Sequence, residues 1–305
     1  MTLSIILAIS DNFDLNDNLV EELNITLKNI FTFSKSEKVK LEIIIVNWNI
    51  ISKQKTYQKL NSSIKPDNVK IQYIEVDNTL HNNYKLSHKI PFYLAHATNI
   101  GIRKAQSNAI LSMKVGTFFS KKSWLNILKY VSTNQHNNSF LTLLSKATLG
   151  RAILKNDTYN ISAESIKNNC IQELKDKKII DYTKHRIHIN RDLSFRSFDS
   201  LLFSKEKALH TLGFPELSVY PTLLTTKLFV ANINKYYKEH LSLSAGYKID
   251  YKEKSHFNPA EDSELKLAPD TEKILLDRIK KEKNSIIFND ENWGLKNIQL
   301  STLIL

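Results

Sequence analysis

The chain has 305 residues, 42% of them hydrophobic and 24% charged, a balance that supports a large globular core and rules out a disordered or fibrous chain. Its one cysteine, Cys170, excludes an intramolecular disulfide and a zinc site built from several cysteines, and suits a reducing compartment. The formal net charge of +12 favours anionic partners such as nucleotide diphosphates or a membrane surface, but no nucleic-acid-binding motif accompanies it, so no nucleic-acid partner is expected.

Residues 3–9 form a nearly continuous apolar run, the pattern of a strand buried on both faces. The run is short and has no basic flank, so a signal peptide is not expected. Leu19, Val20, Leu23, Leu27, Ile30 and Phe31 fall at helical spacing and predict an amphipathic helix over 19–33. Buried strands are expected at 41–46, ending in Asn47-Trp48-Asn49, and at 69–76, ending in Asp77-Asn78. A helix over 90–105 begins near Pro91, and a fourth strand at 109–113 runs into Lys114-Val115-Gly116-Thr117. A further helix is expected at 121–131.

Residues 150–190 are polar and basic with little periodicity and read as loops and short helices. A short strand at 200–203 precedes a helix at 205–212, a turn at Gly213-Phe214-Pro215 and a helix at 223–237. Residues 241–268 read as extended, 271–283 as a charged amphipathic helix, and the apolar residues 300–305 as a segment packed on the core. No run of 18 apolar residues occurs, so no transmembrane helix is expected. The alternation of strands and helices predicts an α/β fold with a mostly parallel central sheet flanked by helices. The expected organisation is a main domain over 1–240 with an extension, 241–305, packed on it.

In an open parallel sheet, ligands bind beyond the carboxyl ends of the strands. That places Asp11, Asn47, Asp77 and Lys114 around one crevice. The stretch Leu80-His81-Asn82-Asn83-Tyr84-Lys85, then Ile90-Pro91-Phe92, then Asn99-Ile100-Gly101-Ile102-Arg103-Lys104-Ala105, resembles a group of bacterial family 2-like glycosyltransferases in order and spacing. Ile45-Val46-Asn47-Trp48-Asn49, Gly213-Phe214-Pro215-Glu216 and Glu291-Asn292-Trp293-Gly294-Leu295 resemble shorter elements of the same group. The resemblance implies a GT-A-type nucleotide-sugar-binding fold, an inverting single displacement, and nucleotide contacts from Asn99 and Arg103, the latter otherwise a surface residue. Asp11 and Asp77, at strand ends over the crevice, are read either as nucleoside-recognising residues or as ordinary turn residues. Asn47, a candidate on the same crevice, stands where the family carries a glutamate. Asn99 and Arg103 lie one helical turn apart and so share a face.

The departures from that pattern bear on chemistry. The family's fourth strand ends in Asp-x-Asp, whose carboxylates hold a divalent cation against the leaving diphosphate. Here the triplet is Lys114-Val115-Gly116. The family's acceptor-side Asp, the implied general base, falls near Thr222, and a threonine hydroxyl is no base near neutral pH. No metal or other cofactor is therefore expected. Lys114 is read either as the cation that meets the diphosphate or as a solvated lysine. Asp199, before the 200–203 strand, is read either as an acceptor-holding residue or as a turn residue.

Two functions follow from this. One is a cytoplasmic, metal-independent glycosyltransferase of polysaccharide or glycoconjugate synthesis, with a nucleotide-sugar donor and a glycan or glycoconjugate acceptor. The other is an inactive relative that serves as a binding or scaffold subunit. The basic segment 278–283 offers charge for a peripheral membrane contact, and a solvated helix face with Ile279 turned inward accounts for the same pattern.

Overall fold

The structure, a computed structural model, describes residues 2–10, 18–34, 39–50, 56–60, 65–150, 170–173, 200–217, 222–250 and 271–305. Strands β1 (Thr2–Ile9), β2 (Lys40–Ile50), β3 (Val69–Asp77) and β4 (Ala109–Met113) form the expected parallel core. β1 lies between β2 and β4, and β2 pairs in turn with β3, all parallel. The chain thus fills the β2 side of β1 first and then crosses to its other side with β4.

Helix α1 (Asn18–Ser34) follows β1, the short α2 (Asn78–Asn82) follows β3, and α3 (Leu94–Lys104) precedes β4. The helix expected from residue 90 starts at Leu94 because 83–93 is taken up by turns. Beyond β4 come β5 (Thr117–Phe119), α4 (Lys121–Ser132), β6 (Ser139–Gly150), β7 (Cys170–Glu173) and β8 (Ser200–Ser204). They are followed by α5 (Lys205–His210), α6 (Thr222–Ile233), β9 (Glu239–Asp250), α7 (Thr271–Lys281) and β10 (Ser301–Ile304). Among the described residues ten strands make one sheet, ordered β10-β3-β2-β1-β4-β8-β6-β9-β5, with β7 paired to β6.

The sheet is buried on both faces, which is why β1 to β3 read as near-continuous apolar runs. On one face Leu3, Ile5, Leu7 and Ile43 pack against Leu23, Leu27 and Ile30 of α1 and Trp124 and Ile127 of α4. On the other, Ile6, Ile44, Val46 and Ile74 pack against Ala97 and Ile100 of α3 and Phe229 and Ile233 of α6. Gly101 lets α3 lie directly on β1: a Cβ there would sit 2.5 Å from Ile6 Cγ2. Leu276 and Ile279 of α7 pack on Leu224 and Leu228 of α6, so Ile279 does face inward.

Of the residues after 240, β9 and β10 belong to the sheet. The expected boundary at 240–241 falls inside β9, and β10 pairs antiparallel with β3 at the opposite edge. Leu303 and Leu305 pack on the core while Ile304 is exposed. β5, β6 and β9 add strands that apolar periodicity did not reveal. The loops expected over 150–190 lie outside the described residues, except for 170–173, which is strand. Among the described residues, no helix is long and apolar enough to cross a membrane.

Candidate active site

A cavity of about 240 Å³ opens at the carboxyl ends of β1 and β4. This is where strand order reverses, the place at which open α/β sheets bind ligands. Ala8, Ile9 and Ser10 form one side and Ser112, Met113, Lys114 and Val115 the other. Leu19 and Glu22 of α1 close one flank, and Phe92, Leu94, Ala95 and Thr98 close the flank formed by α3. Ser200, Leu201, Phe214, Thr225 and Thr226 complete the wall.

Lys114 is therefore where the sequence put it, exposed at a strand end on the cavity. Thr117 N–H donates to Lys114 O at 3.3 Å, and Gly116 between them has φ +79°. This is a tight turn whose third residue needs the left-handed region that glycine enters without strain. The turn is tied to α1, since Gly116 N–H donates to Thr26 Oγ1 at 3.0 Å and Asn29 bonds both the N–H and the C=O of Phe119. An ammonium group and a residue without a side chain do not fit a divalent cation. Glu22, which borders Gly116 from α1, is the only carboxylate among the described residues that line the cavity. Among the described residues, no group of three or more His, Cys, Asp or Glu side chains could hold a metal ion.

The other candidate residues fall in different places. Asp11 and Asp199 lie outside the described residues; they are the chain neighbours of Ser10 and Ser200, which line the cavity. Asp77 is exposed and caps α2, accepting from Thr79 Oγ1 at 2.6 Å and Leu80 N–H at 2.8 Å. The Thr79 hydroxyl, then the Leu80 N–H, hold its carboxyl below the usual carboxylate range. Asn47 is fully buried and donates to Tyr73 Oη at 2.7 Å.

Asn99 and Arg103 do share a face of α3, but that face meets the polypeptide. Asn99, 0% exposed, donates to Phe214 O and Glu216 Oε1 and accepts from Phe214 N–H, each at 2.8 Å. Arg103 donates to the carbonyls of Trp293 and Glu291, and its guanidinium lies 4.1 Å from the Trp293 ring centroid. Asn289 completes the junction, donating to Leu212 O and Phe214 O and accepting from Glu216 N–H at 2.7 Å. Gly213, with φ +75°, has no room for a Cβ, which would meet Asn99 Oδ1 and the Trp293 ring at 2.4 Å. For Asn99 and Arg103, protein partners thus stand where nucleotide contacts were expected, and neither residue lines the cavity.

Three of the recognised sequence elements, from α3, the Gly-Phe-Pro-Glu turn and the Trp-Gly-Leu segment, form this single clamp. It fixes Phe214, which lines the cavity and stacks on Phe229 with ring centroids 3.9 Å apart. Within the clamp Glu216 Oε1 also accepts from Gly294 N–H at 2.8 Å. Burial raises the Glu216 carboxyl pKa, while bonds from Asn99 and Gly294 act the other way. His96 Nε2 lies 3.9 Å from Glu216 Oε2, but burial pushes the imidazole down to about 3. That separation is too long for a hydrogen bond, and the depressed imidazole is neutral near pH 7, so the contact is no ion pair.

The remaining elements build the opposite wall. Trp48 Nε1–H donates to His81 Nδ1 at 2.9 Å, and His81 Nε2 bonds Ser87 O at 3.0 Å. Tyr84, Tyr93 and His96 pack around Trp48, while Tyr93 Oη–H donates to Lys85 O and Asn49 Nδ2 to Pro91 O. The result is a rigid 85–93 segment that sets Phe92 and the start of α3 against the cavity.

The sequence matches no protein-family profile and no curated protein. Among solved structures, residues 1–349 of TarS from S. aureus superpose with a TM-score of 0.52 at 12% identity, covering 82% of this chain and 60% of that one. The same protein in complex with UDP-GlcNAc gives a TM-score of 0.52 at 13% identity over 92% of this chain and 72% of that one. The chain thus spans about 60% of the first of these. At such identity the likeness shows the fold: this chain has the GT-A-type glycosyltransferase fold.

Proposed function

We propose that this chain is a glycosyltransferase that moves a sugar from a nucleotide-sugar donor to a glycan or glycoconjugate acceptor without a divalent cation. The observation that carries this reading is the cavity at the β1–β4 switch point of a GT-A-type fold, with Lys114 in place of a metal-binding acid. The acceptor hydroxyl attacks the anomeric carbon while the bond from that carbon to the diphosphate oxygen breaks. The proton goes to a base on the acceptor side, for which Asp199 is our candidate, and the departing charge is met by Lys114. Asp11, next to Ser10, is the candidate for the nucleoside. We place the reaction in the cytoplasm, in polysaccharide or glycoconjugate synthesis.

A second reading, an inactive relative that serves as a binding or scaffold subunit, is favoured by two observations: Glu22 on α1 is the only described carboxylate on the cavity, and Thr222 opens α6 where the family's base would fall. Calorimetry with UDP, GDP and their sugars, in EDTA and then in manganese, tests both. The expected result is nucleotide binding that is insensitive to the metal. Lys114→Ala should weaken diphosphate binding about ten- to a hundredfold, the worth of a charge-assisted hydrogen bond, and leave nucleoside binding intact. A chain that binds no nucleotide refutes the first reading and favours the second, as does binding without turnover on any acceptor.

A further inference from the structure

Away from the cavity, exposed apolar side chains and cations come together on α7 and the segment that follows it. Ile274 is 63% exposed and Ile287 50%. Ile274, Arg278 and Lys281 stand at i, i+4 and i+7, so they share one row along α7, and all three are exposed. The opposite face of the helix, with Leu276 and Ile279, is buried on α6. Ile286 and Phe288 pack on the same cluster, which leaves Ile287 between them on the outside. The segment is held in place: Asn232 bonds both the N–H and the C=O of Ile286, at 2.8 and 2.6 Å. Tyr236 Oη and Ser285 Oγ share a hydrogen bond of 2.6 Å, and Lys235 Nζ donates to Glu282 O and Asn284 O. The outward side chains thus stand on a fixed surface.

Charge selects the partner. Residues 271–288 carry five basic and three acidic side chains, and their placement matters more than the surplus. The row through Ile274 holds Arg278 and Lys281 and no acid, while Asp277 on its flank is met by Lys280 at 3.7 Å. Lys273 and Lys283 stand exposed at the two ends. A second copy of this chain on the same face would set Arg278 and Lys281 against like charges. A soluble acidic polymer would use the cations and leave both isoleucines in water. An anionic bilayer takes both: its phosphates meet the cations, and the isoleucines enter the boundary below, with the long basic side chains reaching back to the headgroups.

We infer that the outward face of α7, together with Ile287, docks the protein on an anionic lipid bilayer. The docked face lies one helix away from the cavity, since Thr225 and Thr226 of α6 line the cavity while Leu224 and Leu228 pack on α7. Such docking requires no sugar transfer, so it stands whether or not the cavity turns over a donor.

The test is co-sedimentation of the full chain with vesicles of phosphatidylcholine alone and of phosphatidylcholine mixed equally with phosphatidylglycerol. The unsubstituted chain should bind the mixed vesicles and not the neutral ones, and added salt should weaken the binding. Arg278→Glu with Lys281→Glu should lower vesicle affinity at least about twentyfold. Ile274→Ser with Ile287→Ser should lower it about three- to tenfold at unchanged charge. Lys121→Glu with Lys122→Glu makes the same change in net charge at exposed positions of α4, on the opposite face of the sheet, and should stay within about twofold of the unsubstituted chain. All six side chains are exposed, so melting temperatures should not change. A chain that ignores the mixed vesicles, or binds neutral ones equally well, overturns the inference. An equal loss in the α4 pair overturns it too, because net charge and not this face would then be responsible. Undiminished binding in the isoleucine pair overturns it in favour of a purely electrostatic surface for a soluble polyanion.

Discussion

Asn99→Ala separates a residue that holds a wall from one that touches a ligand. The substitution deletes three hydrogen bonds of 2.8 Å at a position with no exposure. Two partners keep another bond: Phe214 O still accepts from Asn289, and Glu216 Oε1 from Gly294 N–H. Phe214 N–H loses the partner it has in Asn99. Three net contributions of about 0.5–1.5 kcal/mol each, plus about 1–3 kcal/mol for one stranded donor, give a loss of about 2.5–7.5 kcal/mol. For a chain of this size that is a fall of about 4–12 °C in melting temperature, read by differential scanning calorimetry. Asn99→Asp should be worse than Asn99→Ala despite its matching shape, because a carboxylate would replace the amide that faces Phe214 O and Glu216 Oε1. A nucleotide-contact role gives the opposite pattern: an unchanged melting temperature, lost nucleotide affinity, and Asp tolerated as well as Ala. That result would refute the clamp.

Gly101→Ala should destabilise by about 1–3 kcal/mol in urea titration, since the added methyl meets Ile6 at 2.5 Å and β1 cannot retreat from between its neighbours. An unchanged midpoint would show that α3 can lift off the sheet. The pH dependence follows from His96, whose folded pKa of about 3 lies below its ordinary 6.5. The folded state binds fewer protons in that window, so the stabilisation is complete above 6.5 and is lost as pH falls towards 3. Between pH 6.5 and 5 the loss amounts to about 2 kcal/mol, less the opposing effect of Glu216, whose raised pKa favours the folded state as acid is added. His96→Gln should flatten this part of the stability profile; an equal slope in both proteins would exclude His96 as its source.

Much of this architecture is legible because burial on both faces writes itself into β1 to β4 as unbroken apolar runs. Residues 3–9, 69–76 and 109–113 agree with their strands to within a residue, and 41–46 lies inside β2, which runs on to Ile50. β6 was missed, and β9 was read only as an extended stretch from 241, because polar residues are interspersed along both, as in Thr142, Ser145, His240 and Ser242, and because their partners are distant in sequence. The site divides in the same manner. Lys114 stands out because a strand end is a local feature. The spacing of Asn99 and Arg103 correctly gave a common face, but what that face meets lies 115 to 190 residues further along the chain. Glu22 was hidden on a helix whose apolar stripe explained it fully.

The clamp also bears on the order in which the molecule comes together and apart. Arg103 and Trp293 are 190 residues apart, so their contact closes a long loop and can form only after α3 and the sheet exist to receive it. Interactions absent from the folding transition state act mainly on the rate of unfolding. Residues 289–294 hold a wall of the cavity through polar contacts at the molecule's margin, and such segments open before the core does. The amides bonded in the clamp should therefore exchange with solvent faster than those of β1 and β2. A ligand seated against Phe214 would slow that exchange from within, joining occupancy of the cavity to the closure of a strap on its far side.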